Sequence, residues 1–150
     1  MKQLVNDTLQ EINLYSDDAS NLILGTISQE SAYGFYRKQL GGGPALGICQ
    51  MEPNTFNDIV FNFLHYKVDL ANLILKVCGL TSFHADDLVT NDKLAVSMCR
   101  VHYLRVKAKI PSDLPGYAAY YKKYYNTPLG AATEEEFIEN YNKYVLKDEH

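Results

Sequence analysis

Cysteine is scarce in this sequence: Cys49, Cys78 and Cys99 are too few and too scattered for a disulfide framework or a zinc site. Buried free thiols are expected instead. No apolar run approaches the roughly 18 residues that a membrane-spanning helix needs. The opening MKQLVNDTLQEINLY puts acids and amides where a signal peptide needs an unbroken apolar core. The expectation is synthesis in the cytoplasm, with no export of its own and no membrane insertion. Positive charge is outweighed, 14 Lys and Arg against 18 Asp and Glu for a net charge of -4, which argues against a nucleic-acid binder. Strand signals are nearly absent, with room for a short hairpin only in the irregular segment from Tyr33 to Leu46, and internal repeats, low-complexity tracts and linkers are missing.

What is present is 150 residues with 47% apolar and 21% charged content, which suits one domain over residues 1–150 with a real core. The periodicity is helical, and the expected fold class is all-α, mainly helical α+β at most. Leu4, Val5, Leu9, Ile12 and Leu14 fit a short helix within residues 2–15. A second helix opens at Ser16 or Asp17 as cap and runs to the region of Glu30. From Asn54 or Thr55, Phe56, Ile59, Val60, Phe63 and Leu64 keep helical spacing, and Asp69 is placed to cap the next helix, with Gly79 to stop it. The run Asp92 to Lys107 is apolar on most sides and belongs at the centre of the domain. Pro111 and Pro115 interrupt the chain, and Tyr117, Tyr120, Tyr121, Tyr124 and Tyr125 follow so closely that some must be core. Asn126 to Gly130 reads as a turn, and Thr133 with Glu136 as a capping box for a last helix.

Within this frame Glu30 stands out. Ile23, Ile27 and Glu30 fall at i, i+4 and i+7, so the acid continues the core-facing stripe of its helix, while Gln29 points elsewhere. Partial burial and the negative end of the helix dipole, just before Gly34, should both raise its pKa. A glutamate still protonated near neutral pH can serve as a general acid. The plain alternative is an ion pair with Arg37 or Lys38.

Other constellations carry less. Gly41, Gly42 and Gly43 lack the following G-K-[ST] and preceding strand of a phosphate loop. Cys49 with His65, His84 or His102 could form a nucleophile pair, but no positioning motif supports one. His84-Ala85-Asp86-Asp87 has no further ligand at helical spacing, so a helix N-terminus is the better account and no metal is expected.

Glu30-Ser31, a glycine-rich loop, and then Ala45-Leu46-Gly47-Ile48-Cys49-Gln50-Met51-Glu52-Pro53-Asn54-Thr55 resemble the lysozyme-like lytic transglycosylases, in the version carried by bacteriophages. That family joins an E-S pair at a helix end to a G-L-M-Q-type turn and a P-x-T helix start. Gly116-Tyr117-Ala118-Ala119-Tyr120-Tyr121 is similar to its A-A-Y-N-A-G element, with Tyr120 in place of the tyrosine that bonds near the catalytic acid. The resemblance implies a lysozyme-like domain with a substrate cleft, peptidoglycan glycan strands as partner and no cofactor. Glu30 would be the catalytic acid, and Ser31, Gly47, Gln50, Tyr33 and Tyr120 would bind or orient substrate. Tyr33, Phe35 or Tyr36 would offer a flat face to a sugar ring or staple the loop to the core.

The acidic balance suits an enzyme delivered to the anionic wall as part of a virion better than one diffusing to it. Without a second carboxylate, Glu30 would act as acid and then base and leave a 1,6-anhydro sugar, as the resemblance implies. With one, drawn from Glu52, Asp58, Asp86 or Asp87, water would be the acceptor. A virion structural or adaptor protein that keeps the fold without turnover is the alternative, and apolar surface patches would mark it.

Overall fold

The computed structural model describes residues 1–126 and 130–148. Helix α1 spans Lys2–Glu11 and α2 spans Asp17–Ser31. The α2 start is capped by Ser16, whose Oγ accepts the Ala19 N–H at 3.0 Å, with Asp17 and Asp18 in the first turn at the positive end of the dipole. Ten of its fifteen residues are buried, so this helix is enclosed on most sides rather than along one stripe. It packs against α1 and against three later helices.

Those that follow are α3 (Pro53–Asn62), α4 (Val68–Cys78), α5 (Asp92–Leu104), α6 (Leu114–Tyr121) and α7 (Glu134–Asn140). Helices α6 and α7 each continue into a single π-helical turn, Lys122–Asn126 and Tyr141–Val145. Among the described residues there is no strand, only isolated bridges joining Lys38 to Leu46 and Leu46 to Met51. The fold is all-α, as its periodicity predicts.

The core gathers around α2 and α5. The latter buries Leu94, Val96, Met98, Val101 and Tyr103, among others, in keeping with its expected central place. Its Tyr103 hydroxyl shares a 2.8 Å hydrogen bond with Thr26 Oγ1 of α2, which satisfies two polar groups inside the apolar core. Gly25 of α2 is the socket for α7, since a Cβ there would stand 2.2 Å from Phe137 Cζ.

The helix ends show where local signals prevailed. Gly79 ends α4 in the left-handed region. Thr133 and Glu136 exchange the two hydrogen bonds of a capping box, at 3.1 and 3.2 Å. Asp69, expected as a cap, lies inside the first turn of α4. The 3₁₀ turn Leu64–Tyr66 runs almost directly into that helix and leaves Lys67 at the cap position. Asp86 and Asp87 open a 3₁₀ turn, Ala85–Val89, instead of an α-helix. The expected turn from Asn126 to Gly130 falls on residues 127–129, outside those described.

Candidate active site

Helix α2 ends abruptly one residue after Glu30. Ala32 and Tyr33 have φ of 49° and 63°, and Gly34 has 91°, so three consecutive residues turn in the left-handed sense. Ser31 holds this turn from inside. It is fully buried, its hydroxyl donates to the Ile27 carbonyl at 3.0 Å, and its oxygen accepts the Gly34 N–H at 2.8 Å. The expectation that Ser31 meets substrate is therefore corrected, because its hydrogen bonds are spent on shaping the helix end. Tyr33 is also turned away: it stacks on Tyr144 at 5.8 Å and its hydroxyl donates to Asp148.

The second wall comes from the turn at Leu46–Met51, closed by reciprocal backbone hydrogen bonds of 3.0 and 3.1 Å. Gly47 sits in it with φ of +79°, and a Cβ there would come within 2.3 Å of the Leu88 carbonyl oxygen. Any other residue would meet both obstacles, so Gly47 serves the turn and does not line the cleft. Its carbonyl accepts the backbone N–H of Gln50 at 3.0 Å and the Gln50 side-chain amide at 2.8 Å. Gln50 is thereby held in a fixed position on the cleft wall.

Asp113 caps α6 by accepting the Gly116 N–H at 2.8 Å. Along the helix Tyr117 and Tyr121, four apart, reach α2: the Tyr117 hydroxyl donates to Asp18 at 2.6 Å and the Tyr121 hydroxyl donates to Glu30. Tyr120 faces another way, donating to the Ala108 carbonyl at 2.8 Å. The tyrosine beside the acid is thus Tyr121, one position later than expected. The i, i+4 spacing from Tyr117 to Tyr121 is the sequence signal that could have selected it.

Glu30, Gln50, Glu52, Tyr36 and Tyr125 line one cleft of about 490 Å³, rimmed by Leu40 and Pro44 of the glycine-rich loop. Of the three aromatics considered as a flat face, only Tyr36 borders it, with Phe35 edge-on to Tyr36 at 4.9 Å. Tyr125, which sequence reasoning left unassigned, anchors the floor by donating to the Cys49 carbonyl. Among the four possible second carboxylates, Glu52 alone reaches this cleft. Asp58 is engaged with Arg105 at 2.9 Å and Asn62 at 2.6 Å, while Asp86 and Asp87 lie elsewhere.

Burial pushes the Glu30 carboxyl up from its usual 4.5 to about 7, and the Tyr121 hydrogen bond pulls in the opposite direction. Among the described residues four ion pairs form and none includes Glu30. Of the two cations in the alternative reading, Arg37 binds Asp92 instead, and Lys38 forms none of these pairs. Glu30 is thus a carboxyl without a cation, able to hold or release a proton near neutrality.

Cys49 is buried beside Cys99, which with desolvation keeps its thiol protonated and makes it a poor nucleophile. No group of three or more His, Cys, Asp or Glu among the described residues is arranged to hold a metal ion. No helix among them is long and apolar enough to cross a membrane. Comparison with protein-family models, with curated proteins and with solved structures finds no match to this chain.

Proposed function

We propose that this chain cleaves the β-1,4 bond between N-acetylmuramic acid and N-acetylglucosamine in peptidoglycan, with Glu30 as proton donor. One observation carries the proposal: a carboxyl that is in no ion pair among the described residues, with its pKa raised to about 7 by burial, borders a cleft of about 490 Å³. That volume is in the range of small-molecule sites. At neutral pH about half of such groups hold the proton that a leaving glycosidic oxygen requires. Gln50 supplies hydrogen bonding to the sugar, and Tyr36 supplies a ring face.

Glu52 on the same cleft supports water as the acceptor. Glu30 gives its proton to the leaving oxygen, the carbon–oxygen bond breaks, and a water oxygen bonds to the anomeric carbon while its proton passes to Glu52. If Glu52 takes no part, the substrate's own 6-hydroxyl closes on that carbon and Glu30 takes back a proton. The acidic net charge fits delivery to the wall within a virion.

A second reading, a virion adaptor without turnover, draws support from the α3–α4 edge. There Phe61, Tyr66 and Val68 are 67%, 75% and 60% exposed. Mass spectrometry of purified peptidoglycan treated with wild type and with Glu30→Gln separates these outcomes. Products carrying an added water, from wild type only, establish hydrolysis with Glu30 as acid. Anhydro-muropeptides from wild type only establish a transglycosylase. No products from folded wild type overturn the enzyme reading.

A further inference from the structure

A second cavity, of about 380 Å³, lies at the opposite end of α2, where Ser16 and Asp18 form part of its wall. Arg100 of α5 reaches into it, as do Lys107 and Lys109 from the segment between α5 and α6. Three cations against one acid is an unexpected balance in a chain whose net charge is -4. The acid is already engaged, since the two Asp18 oxygens accept hydrogen bonds from the Tyr117 hydroxyl at 2.6 Å and the Ser112 hydroxyl at 3.1 Å.

Arg100 is partly buried, and its Nε donates to the Leu14 carbonyl at 2.9 Å, which fixes the plane of the guanidinium. Among the described residues its terminal nitrogens have no hydrogen-bond or ion-pair partner in the protein. Those terminal N–H groups open onto the cavity, and their planar fork matches two oxygens of a carboxylate or phosphate. Lys107 and Lys109 are exposed on either side of Ala108, whose carbonyl is pinned by the Tyr120 hydroxyl at 2.8 Å. The loop that carries both lysines is therefore tied to α6. Leu104, Val106 and Ile110 complete an apolar wall beneath the charges.

We propose that this cavity is an anion-binding site, built to take a carboxylate or phosphate group borne on a larger, partly apolar molecule. Arg100 grips the anion in bidentate fashion, Lys107 and Lys109 attract it from the rim, and the apolar wall receives the body that carries it. The site is separate from the Glu30 cleft, and its existence does not depend on the reaction proposed there.

The test is an NMR titration of the full chain, following the Arg100 Nε–H and the backbone amides of residues 104–110. One arm uses inorganic phosphate and the other N-acetylglutamate, each at low and at high sodium chloride. Saturable shifts confined to these signals are expected, weakened by salt because the rim charges are screened. A response to phosphate alone would identify a phosphate-bearing ligand, and a response to the carboxylate alone an acidic peptide or sugar acid. The double variant Lys107→Gln/Lys109→Gln, altered only at exposed positions, should weaken binding by about tenfold. Arg100→Lys keeps the charge but loses the fork and should weaken it as well. No saturable shift with either probe, or shifts that the lysine pair leaves unchanged, would overturn the assignment.

Discussion

Replacing Glu30 by Gln should stabilise the fold at alkaline pH and leave it nearly unchanged in acid. Folding raises the Glu30 pKa from 4.5 to about 7, mainly because burial disfavours the carboxylate. Below the lower value the group is protonated in both folded and unfolded chains and contributes no pH dependence. Between the two values the unfolded chain releases its proton first, so stability falls as pH rises. Above the upper value the loss is complete. At about 1.4 kcal/mol per pH unit, the full difference is about 3 kcal/mol. Gln has nearly the same shape and no charge to desolvate, and its carbonyl oxygen can still accept the Tyr121 hydroxyl. Urea unfolding of both proteins at intervals from pH 4 to pH 8.5 should therefore give curves that coincide near pH 4 and diverge to about 3 kcal/mol near pH 8. A difference independent of pH, or a variant less stable than wild type at pH 8, would refute the view that Glu30 carries a charge penalty in the folded state.

Tyr121→Phe removes a hydrogen bond that favours the carboxylate, so the Glu30 pKa should climb further above 7, by about one pH unit for a charged hydrogen bond worth roughly 1.5 kcal/mol. A side-chain carbon NMR titration reads this directly, and an unchanged or lower pKa would count against it. Tyr120→Phe should leave that titration where it is, since its hydroxyl meets Ala108 instead. Gly47→Ala meets a positive φ and the Leu88 carbonyl together, and should lower stability by about 2 kcal/mol or more in thermal unfolding. A loss below about 0.5 kcal/mol would show that the turn relaxes freely.

The helices were legible because their signals are local. Ser16 and Thr133 each accept the expected capping hydrogen bond, and the apolar spacing of α2 and α5 matches their burial. Glu30 was legible for the same reason, since its face follows from Ile23 and Ile27 along one helix. What failed was register between elements. Tyr120 and Tyr121 are adjacent in sequence but project about 100° apart on a helix, and only the packing of α6 against α2 decides which meets the acid. Ser31 and Tyr33 look available in a linear reading. Ser31, four residues past Ile27, follows the buried stripe of α2 inward, whereas the left-handed turn at Ala32–Gly34 directs Tyr33 to Tyr144, and nothing in residue type alone announces three such residues in a row. Glu52 and Asp58 are equivalent as carboxylates in sequence, and their separation into cleft and surface comes from the start of α3.

The hydrogen bond between Tyr121 and Glu30 joins residues ninety-one positions apart, and Phe137, packed at 5.0 Å on Tyr121 and seated on Gly25, lies farther along still. Contacts of such sequence separation close large loops, at a cost in chain entropy. Until they form, Glu30 titrates as an ordinary carboxylate, fully ionised at pH 7. In the folded chain burial raises its pKa to about 7, so folding at neutral pH takes up proton at this position. The proton-holding acid is thus a property of the closed chain, in which residues far apart in sequence meet around it.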